Sequence, residues 1–262
     1  MTDWVTLCRA AVEDVRGVLA ELPQRSDREP VVGAGMGGDE TTAIDAAAER
    51  VILPHFEGLD DVTIVSEEVG ILGNGPTHVV IDPIDGSLNA KRGIGFFALS
   101  IAVASGPTMG DVDFGFVHDF GTGEEWTAKR GEGARLDGAL LDGEPPKERI
   151  EILAFEATRT ASVAEKAAAV VDLAYRLRIM GSLALSLCHL AAGRIDAVCS
   201  LKPARAVDIA AAQLLVRERG LAIDLPDAPP FSSAPLDVEG RSRVVAAGTA
   251  ELCRQLAHAL SA

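Results

Sequence analysis

Aromatic residues are scarce in this 262-residue chain, at 4% against 48% hydrophobic residues overall. Without rings to fill it, a core must close on Ala, Val, Leu and Ile, and abundant alanine favours helices that approach their neighbours closely. No run of Lys and Arg occurs, and the formal net charge is −15. That excludes the basic footprint on which nucleic-acid binding depends. The four cysteines, Cys8, Cys188, Cys199 and Cys253, form no CxxC pair. A disulfide framework and a zinc ribbon are therefore disfavoured, and buried free thiols in a reducing compartment are expected. No apolar stretch reaches the roughly 18 residues of a membrane span. The first 22 residues carry charges throughout and do not read as a signal peptide. The expectation is a cytoplasmic protein whose partner is neither nucleic acid nor a membrane.

The length fits one large domain or two close-packed halves. Trp4, Leu7, Cys8, Ala11, Val15, Val18 and Leu19 recur at helical spacing, so 3–22 reads as an amphipathic helix ended by Pro23. A polar, glycine-rich loop runs on to Asp39, and Thr41 or Thr42 is placed to cap a second helix. Short apolar runs at 62–65, 79–81, 97–103, 112–117 and 125–128 are bounded by Gly, Asp or Pro. They read as strands, the last three as an antiparallel meander. EPPKER reads as a linker. Beyond it, strands at 150–155, 176–179, 195–199, 221–223 and 243–246 alternate with helices at 161–174, 182–192, 207–217 and 250–260. Such alternation indicates α/β architecture. The expected fold is α/β: a single domain with an α+β half over 1–145, carrying the site, and an α/β half over 146–262 on the substrate side.

The stretch that asks for chemistry is IDPIDGSLN, residues 81–89. Asp82 and Asp85 follow an apolar run and flank a proline, with Gly86 and Ser87 directly after. Asp, Pro and Gly all form turns, so a plain surface turn is one reading. Two further acidic positions favour another. Ser66-Glu67-Glu68 also follows an apolar strand, and Asp208 opens the helix DIAAAQLLVRE. Carboxylates without His or Cys for company suit hard cations such as Mg²⁺. A metal pair of that kind polarises a phosphate and generates hydroxide from water. Gly86 and Ser87 start a new element whose N–H groups suit phosphate oxygens, and Gly86 lets a phosphate approach closely.

Taken in order, VSEE, DPIDGSLN, RGEGARLDG, GSLALSLCHLAAGRIDAV and AVDIAAAQLLVRERG resemble the motifs of the inositol monophosphatase family of Mg²⁺-dependent, lithium-sensitive phosphatases. The matches run from about residue 33 to 220. LKPARAVD is similar to the archaeal branch that hydrolyses both fructose 1,6-bisphosphate and inositol monophosphate. The resemblance implies a layered αβαβα sandwich, two or three Mg²⁺ per site and direct attack of water on a small phosphate ester. It also implies a homodimer, to which the apolar 96–103 segment is expected to contribute. By resemblance, Glu67, Asp82, Asp85, Asp208 and the Ile84 carbonyl are metal ligands. Glu67 and the Ser87 hydroxyl help to activate water, and Gly86 and Ser87 hold the phosphate. Asp45 assists a third metal, and Asp39 matches the acidic residue of the glycine-rich loop. Val207 replaces the family's usual Trp, and Leu201 stands where animal enzymes carry the acid that contacts inositol.

Several positions keep two readings. Asp45 is a solvated helical acid or a ligand. Gly181-Ser182 is a helix cap or a sugar contact. Arg178 shares a strand face with Arg176 and turns to the site or away. Lys202 and Arg205 are surface charges or the binders of a second phosphate. Glu68 is assigned a supporting or surface place, and His189 a place in the core or at its edge. Alternatives to sugar and inositol phosphates are a nucleotide 3′-phosphate, NADP, or a non-catalytic role as a metal- and phosphometabolite-binding regulator.

Overall fold

Asp3 caps helix α1 (Trp4–Glu21) by accepting from the Thr6 N–H at 3.2 Å, and the apolar stripe from Cys8 to Val18 is buried. The computed structural model describes residues 2–261 apart from positions 37, 39, 143, 144, 146, 157, 158 and 229. A short helix α2 (Arg25–Arg28) follows. The glycine-rich stretch is more than a loop: β1 (Val31–Ala34) and β2 (Glu40–Thr42) pair antiparallel across it. Thr42 then caps α3 (Ala43–Ile52) in a capping box with Asp45, and Pro54 starts the one-turn α4 (Pro54–Glu57).

The first sheet takes all its strands from one continuous stretch of chain. They are β3 (Val62–Ser66), β4 (Gly70–Gly73), β5 (Thr77–Asp85), β6 (Ala98–Ala104), β7 (Val112–Asp119), β8 (Glu125–Lys129), β9 (Gly133–Leu136) and β10 (Ala139–Leu140). Their order is β10-β9-β8-β7-β6-β5-β3-β4, and only β3 and β5 run parallel. The short helix α5 (Ser87–Arg92) lies between β5 and β6 in sequence.

After the linker come β11 (Ile150–Glu156), α6 (Thr160–Ala167), β12 (Ala174–Arg178), α7 (Leu183–Ala191), β13 (Ala197–Ser200), α8 (Ala206–Glu218), β14 (Ala222–Asp224), β15 (Val245–Ala247) and α9 (Ala250–Ser261). The second sheet has the order β12-β11-β13-β15-β14, with β11 parallel to both neighbours.

Side-chain alternation separates three apolar layers. Leu99, Ile101 and Val103 of β6 face α1 and α3, while Ala98, Ala102 and Ala104 face α7 and α8. Val198 and Ala246 look back to α7 and α8, while Ala197, Cys199, Val245 and Ala247 face α9. The layers read helix, sheet, helix, sheet, helix. All four cysteines are free and buried.

Within segment 96–103, Phe96 is half-buried and residues 97–103 are buried, so the apolar strand itself offers no surface to a second chain. The segment feeds β6, which is paired on both edges and buried on both faces. A continuous apolar run marks a strand covered on both sides, and periodicity alone does not distinguish it from an exposed patch.

The scarcity of aromatics has a direct consequence at the α8–sheet contact. Gly115 of β7 lies so close to α8 that a Cβ there would stand 2.5 Å from the Ala211 carbonyl oxygen. Gly115→Ala should cost on the order of 2 kcal/mol through overpacking against backbone. For a chain of this length that lowers the melting temperature by roughly 4–8 °C. An unchanged melting curve would contradict this packing.

Candidate active site

Asp82 and Asp85 lie three residues apart, and in a regular strand they would point to opposite faces. A bulge prevents this. Asp82 pairs with Ser100 and Asp85 with Ala98, so three steps along β5 match two along β6. Pro83 has no N–H to give the ladder, which is where a bulge is tolerated. Both acids therefore share the face of Ala98, the side of α7 and α8. The Ile84 N–H donates to Asp82 Oδ1 at 3.1 Å and secures the bulge.

Glu67 arrives by a second strand. Ser66 is in register with Ile81 on the parallel pair β3 and β5, so Glu67, just past the end of β3, comes beside Asp82 within β5. The loop bearing Glu67 is tied by Glu49, which the sequence reading did not single out. Glu49 Oε1 accepts from the Ser66 hydroxyl and from the Glu68 and Val69 N–H groups, the last two at 3.2 Å. Glu49 lies one turn after Asp45 on α3, and two acids on one helix face is the signal that was available. Thr41 donates its hydroxyl to Glu68 Oε2. Asp45 is buried and not solvated. Its Oδ2 accepts from Thr42, and its Oδ1 is buried without a hydrogen-bond partner among the described residues. Asp39 lies outside the described residues.

Asp208 occupies the third position of α8, where its Oδ2 accepts from the Arg205 N–H at 2.7 Å. The helix start favours an acid there. The Arg205 side chain corrects the sequence reading. It is buried, ion-paired with Glu67 and 3.2 Å from Asp208 Oδ1, among the acids and not a surface charge. Burial opposes its charge, but Asp208, Glu67 and Asp82 outweigh burial and hold the guanidinium above its ordinary value.

One arginine does not neutralise this many acids. Burial pushes Glu67 up to about 8 despite Arg205, with Asp208 and Glu68 adding to it. Burial, then Glu67, Asp85 and Asp208, raise Asp82 well above the usual range. Burial pushes Asp85 up to about 7, against the hydrogen bond from Ser182. In the unfolded chain these groups ionise at their ordinary values near 4. Between about pH 4 and 8 the folded chain thus binds more protons than the unfolded one. Metal-free stability should fall as pH rises through this window. Urea titrations in EDTA at pH 5.5 and 8.5 test this. Greater stability at pH 8.5 would contradict it.

The acids open onto a cavity of about 310 Å³. Asp45, Glu67, Glu68, Asp85, Gly86, Ser87, Gly181, Lys202, Arg205 and Asp208 all reach its wall, joined by Lys91, Glu156 and Arg241, which the sequence reading passed over. Gly86 is required twice. Its φ is +92°, and a Cβ would lie 3.0 Å from the Phe96 carbonyl oxygen and 3.1 Å from that of Gly181. The Ser87 hydroxyl donates to the Ile84 carbonyl at 2.9 Å. Ser182 is not a sugar contact. It is buried, accepts from the Leu185 N–H as cap of α7, and donates to Asp85 Oδ2. Arg178 is also corrected. It is exposed on the edge strand β12 and donates to the Leu177 carbonyl, so it does not line the cavity. A larger depression, about 990 Å³, opens at the opposite, N-terminal ends of β11 and β12. Its Lys147 and Arg176 are paired with Glu151, so it offers no comparable cluster.

The donor chemistry fits a hard divalent cation: carboxylate oxygens, one orphaned buried oxygen on Asp45 and acids in excess of cationic charge. As the side chains stand, no group of three or more His, Cys, Asp or Glu among the described residues is gathered to hold an ion. The physical reason is that Glu67 and Asp208 are drawn onto Arg205. An ion would have to compete with that guanidinium.

Comparison with known proteins places these features in a family. A family model described as the inositol monophosphatase family matches residues 3–261. The chain is 33% identical over 274 aligned residues to a fructose-1,6-bisphosphatase/inositol-1-monophosphatase of Methanothermobacter thermautotrophicus, covering 98% of this chain and 96% of that protein. A protein of the same description from Archaeoglobus fulgidus is 31% identical, over 94% of this chain and 93% of its own length. A crystal structure described as an inositol monophosphatase–fructose 1,6-bisphosphatase superposes with a TM-score of 0.87 at 28% identity, covering 98% of this chain and 100% of that one.

Proposed function

Because the chain belongs to the inositol monophosphatase family and is a phosphatase, we propose that it hydrolyses a small sugar or inositol phosphate monoester with Mg²⁺ as cofactor. The observation that carries this reading is the convergence of Glu67, Asp85 and Asp208, from three separate elements, on one cavity, with Asp82 buried beside them. Glu67, Asp82, Asp85, Asp208 and the Ile84 carbonyl would hold the ions, with Asp45 Oδ1 as the donor for a further one. When bound, Mg²⁺ supplies Lewis acidity toward phosphoryl oxygens and lowers the pKa of water. Glu67 orients the attacking water and accepts its proton. The Ser87 hydroxyl, now on the Ile84 carbonyl, stands beside the same position. Gly86 and Ser87, on the cavity wall where α5 begins, would hold the phosphate.

The substrate class follows from the cations at the rim. The two archaeal relatives are named for both fructose 1,6-bisphosphate and inositol 1-phosphate. Lys202 and Arg241 share the cavity wall with Arg205, and the second phosphate of a bisphosphate is assigned to Lys202. A charge-assisted bond of that kind contributes about 1.5–3 kcal/mol. Phosphate release with Mg²⁺ should therefore be measured on fructose 1,6-bisphosphate and inositol 1-phosphate in parallel. Lys202→Ala should raise KM about tenfold or more for the bisphosphate and little for the monophosphate. Equal effects on both would remove Lys202 from selectivity. Release from neither, with wild type and saturating Mg²⁺, would overturn the sugar and inositol phosphate reading.

A further inference from the structure

Glu156 is a buried acid that the proposed reaction leaves without a role. It closes β11, the strand from which the chain crosses first to β12 on one side and then to β13 on the other. The end of such a strand is where open α/β sheets place their ligands. The sequence gives the same sign as at Glu67 and Asp82: an apolar run, here Ile152 to Phe155, ending in an acid.

Its carboxylate is directed at the turn before α7. Oε2 accepts from the Gly181 N–H at 2.8 Å, and Oε1 from the Met180 N–H at 3.4 Å and the Ser186 hydroxyl at 2.7 Å. Asn89 holds the same turn from the other side, donating to the Met180 carbonyl at 2.7 Å. Gly181 adopts a φ of +89°, and a Cβ there would lie 2.9 Å from Asn89 Nδ2. The clamped turn leads straight into Ser182 and Ala184. The Ser182 hydroxyl and the Ala184 N–H both donate to Asp85 Oδ2, the latter at 2.8 Å. Both bonds use the same one of the two carboxylate oxygens, and Asp85 lines the cavity. Burial raises the Glu156 carboxyl above its ordinary range. An apolar residue would fill this place without that cost.

We infer that Glu156 is a positioning residue for Asp85, acting through the Met180–Gly181 turn and the start of α7. The inference rests on the reading that Asp85 holds a divalent ion. Groups that orient a metal ligand are worth about 10–100-fold in metal affinity.

The test uses the full chain with Glu156→Ala and Glu156→Gln. Mn²⁺ affinity is read by electron paramagnetic resonance, and amide exchange over 180–185 is read in EDTA. The alanine variant should bind Mn²⁺ about tenfold more weakly and exchange faster at 181–185, with later α7 amides unchanged. Glutamine should restore both, because its amide oxygen can accept from Gly181 and its amide nitrogen can donate to Ser186. Unchanged affinity and exchange in the alanine variant would overturn the inference. So would glutamine behaving like alanine, which would mean that the charge acts and not the clamp. If alanine does not fold, Glu156→Asp, one methylene too short to span the gap, is read in the same way. If the wild type binds no Mn²⁺, the ion reading fails alone, and the exchange comparison in EDTA still decides the clamp.

Discussion

Asp85→Asn should reduce Mg²⁺-dependent phosphate release by on the order of 10³-fold or more while the chain stays folded. The two halves of this expectation come from the two oxygens of the side chain. Oδ2 accepts from the Ser182 hydroxyl and the Ala184 N–H, and an asparagine carbonyl oxygen can accept both. The tie between β5 and α7 therefore survives. The other atom becomes an NH₂ group, which has no lone pair to give an ion. Lewis-acid stabilisation of a phosphoryl group is worth several kcal/mol, and each 1.36 kcal/mol is a factor of ten in rate. The checks are a phosphate-release assay and a melting curve on the same preparation. A variant that melts like wild type and retains more than about a tenth of its rate would show that Asp85 is not a ligand. Metal-free, this variant should also be the more stable protein above pH 7, because it no longer carries a charge that burial opposes.

Arg205→Ala should destabilise the metal-free protein at pH 8 by about 3 kcal/mol, with a fall of roughly 6–12 °C in melting temperature. Arg205 is 8% exposed and is the cation on which Glu67 and Asp208 close. Its removal leaves buried carboxylates facing one another. The loss should shrink toward pH 6, because a carboxyl already pushed up to about 8 then takes a proton instead. Mg²⁺ should stabilise the variant more than the wild type, since the ion no longer competes with a tethered guanidinium. Melting curves at both pH values, with EDTA and with Mg²⁺, measure all three effects. A variant of unchanged stability that loses affinity for fructose 1,6-bisphosphate alone would put the guanidinium on the substrate, as the pattern LKPARAVD suggests by itself.

The chain order of acids was legible because each closes a recognisable apolar run or opens a recognisable helix. Val65-Ser66-Glu67, Ile81-Asp82 and Val207-Asp208 carry that grammar, and so does the unread Phe155-Glu156. Strand and helix alternation after 150 was legible for the same reason, since periodicity is written along the chain. What the sequence by itself determined is therefore which groups this protein can offer: oxygen donors in order, a glycine where the chain turns from strand to helix and small residues where helices meet sheets. Only the tertiary structure decided where they point. A bulge at Pro83 turned Asp82 and Asp85 to one face. Register between β3 and β5 set Glu67 beside Asp82. Asp85 and Ser182 met across 97 residues. Arg205 turned inward to the acids, Arg178 outward on an edge strand, and segment 96–103 went to the middle of a sheet. Spacing reports neighbours along one element, whereas these outcomes depend on pairing between elements, where a shift of one residue exchanges the two faces of a strand.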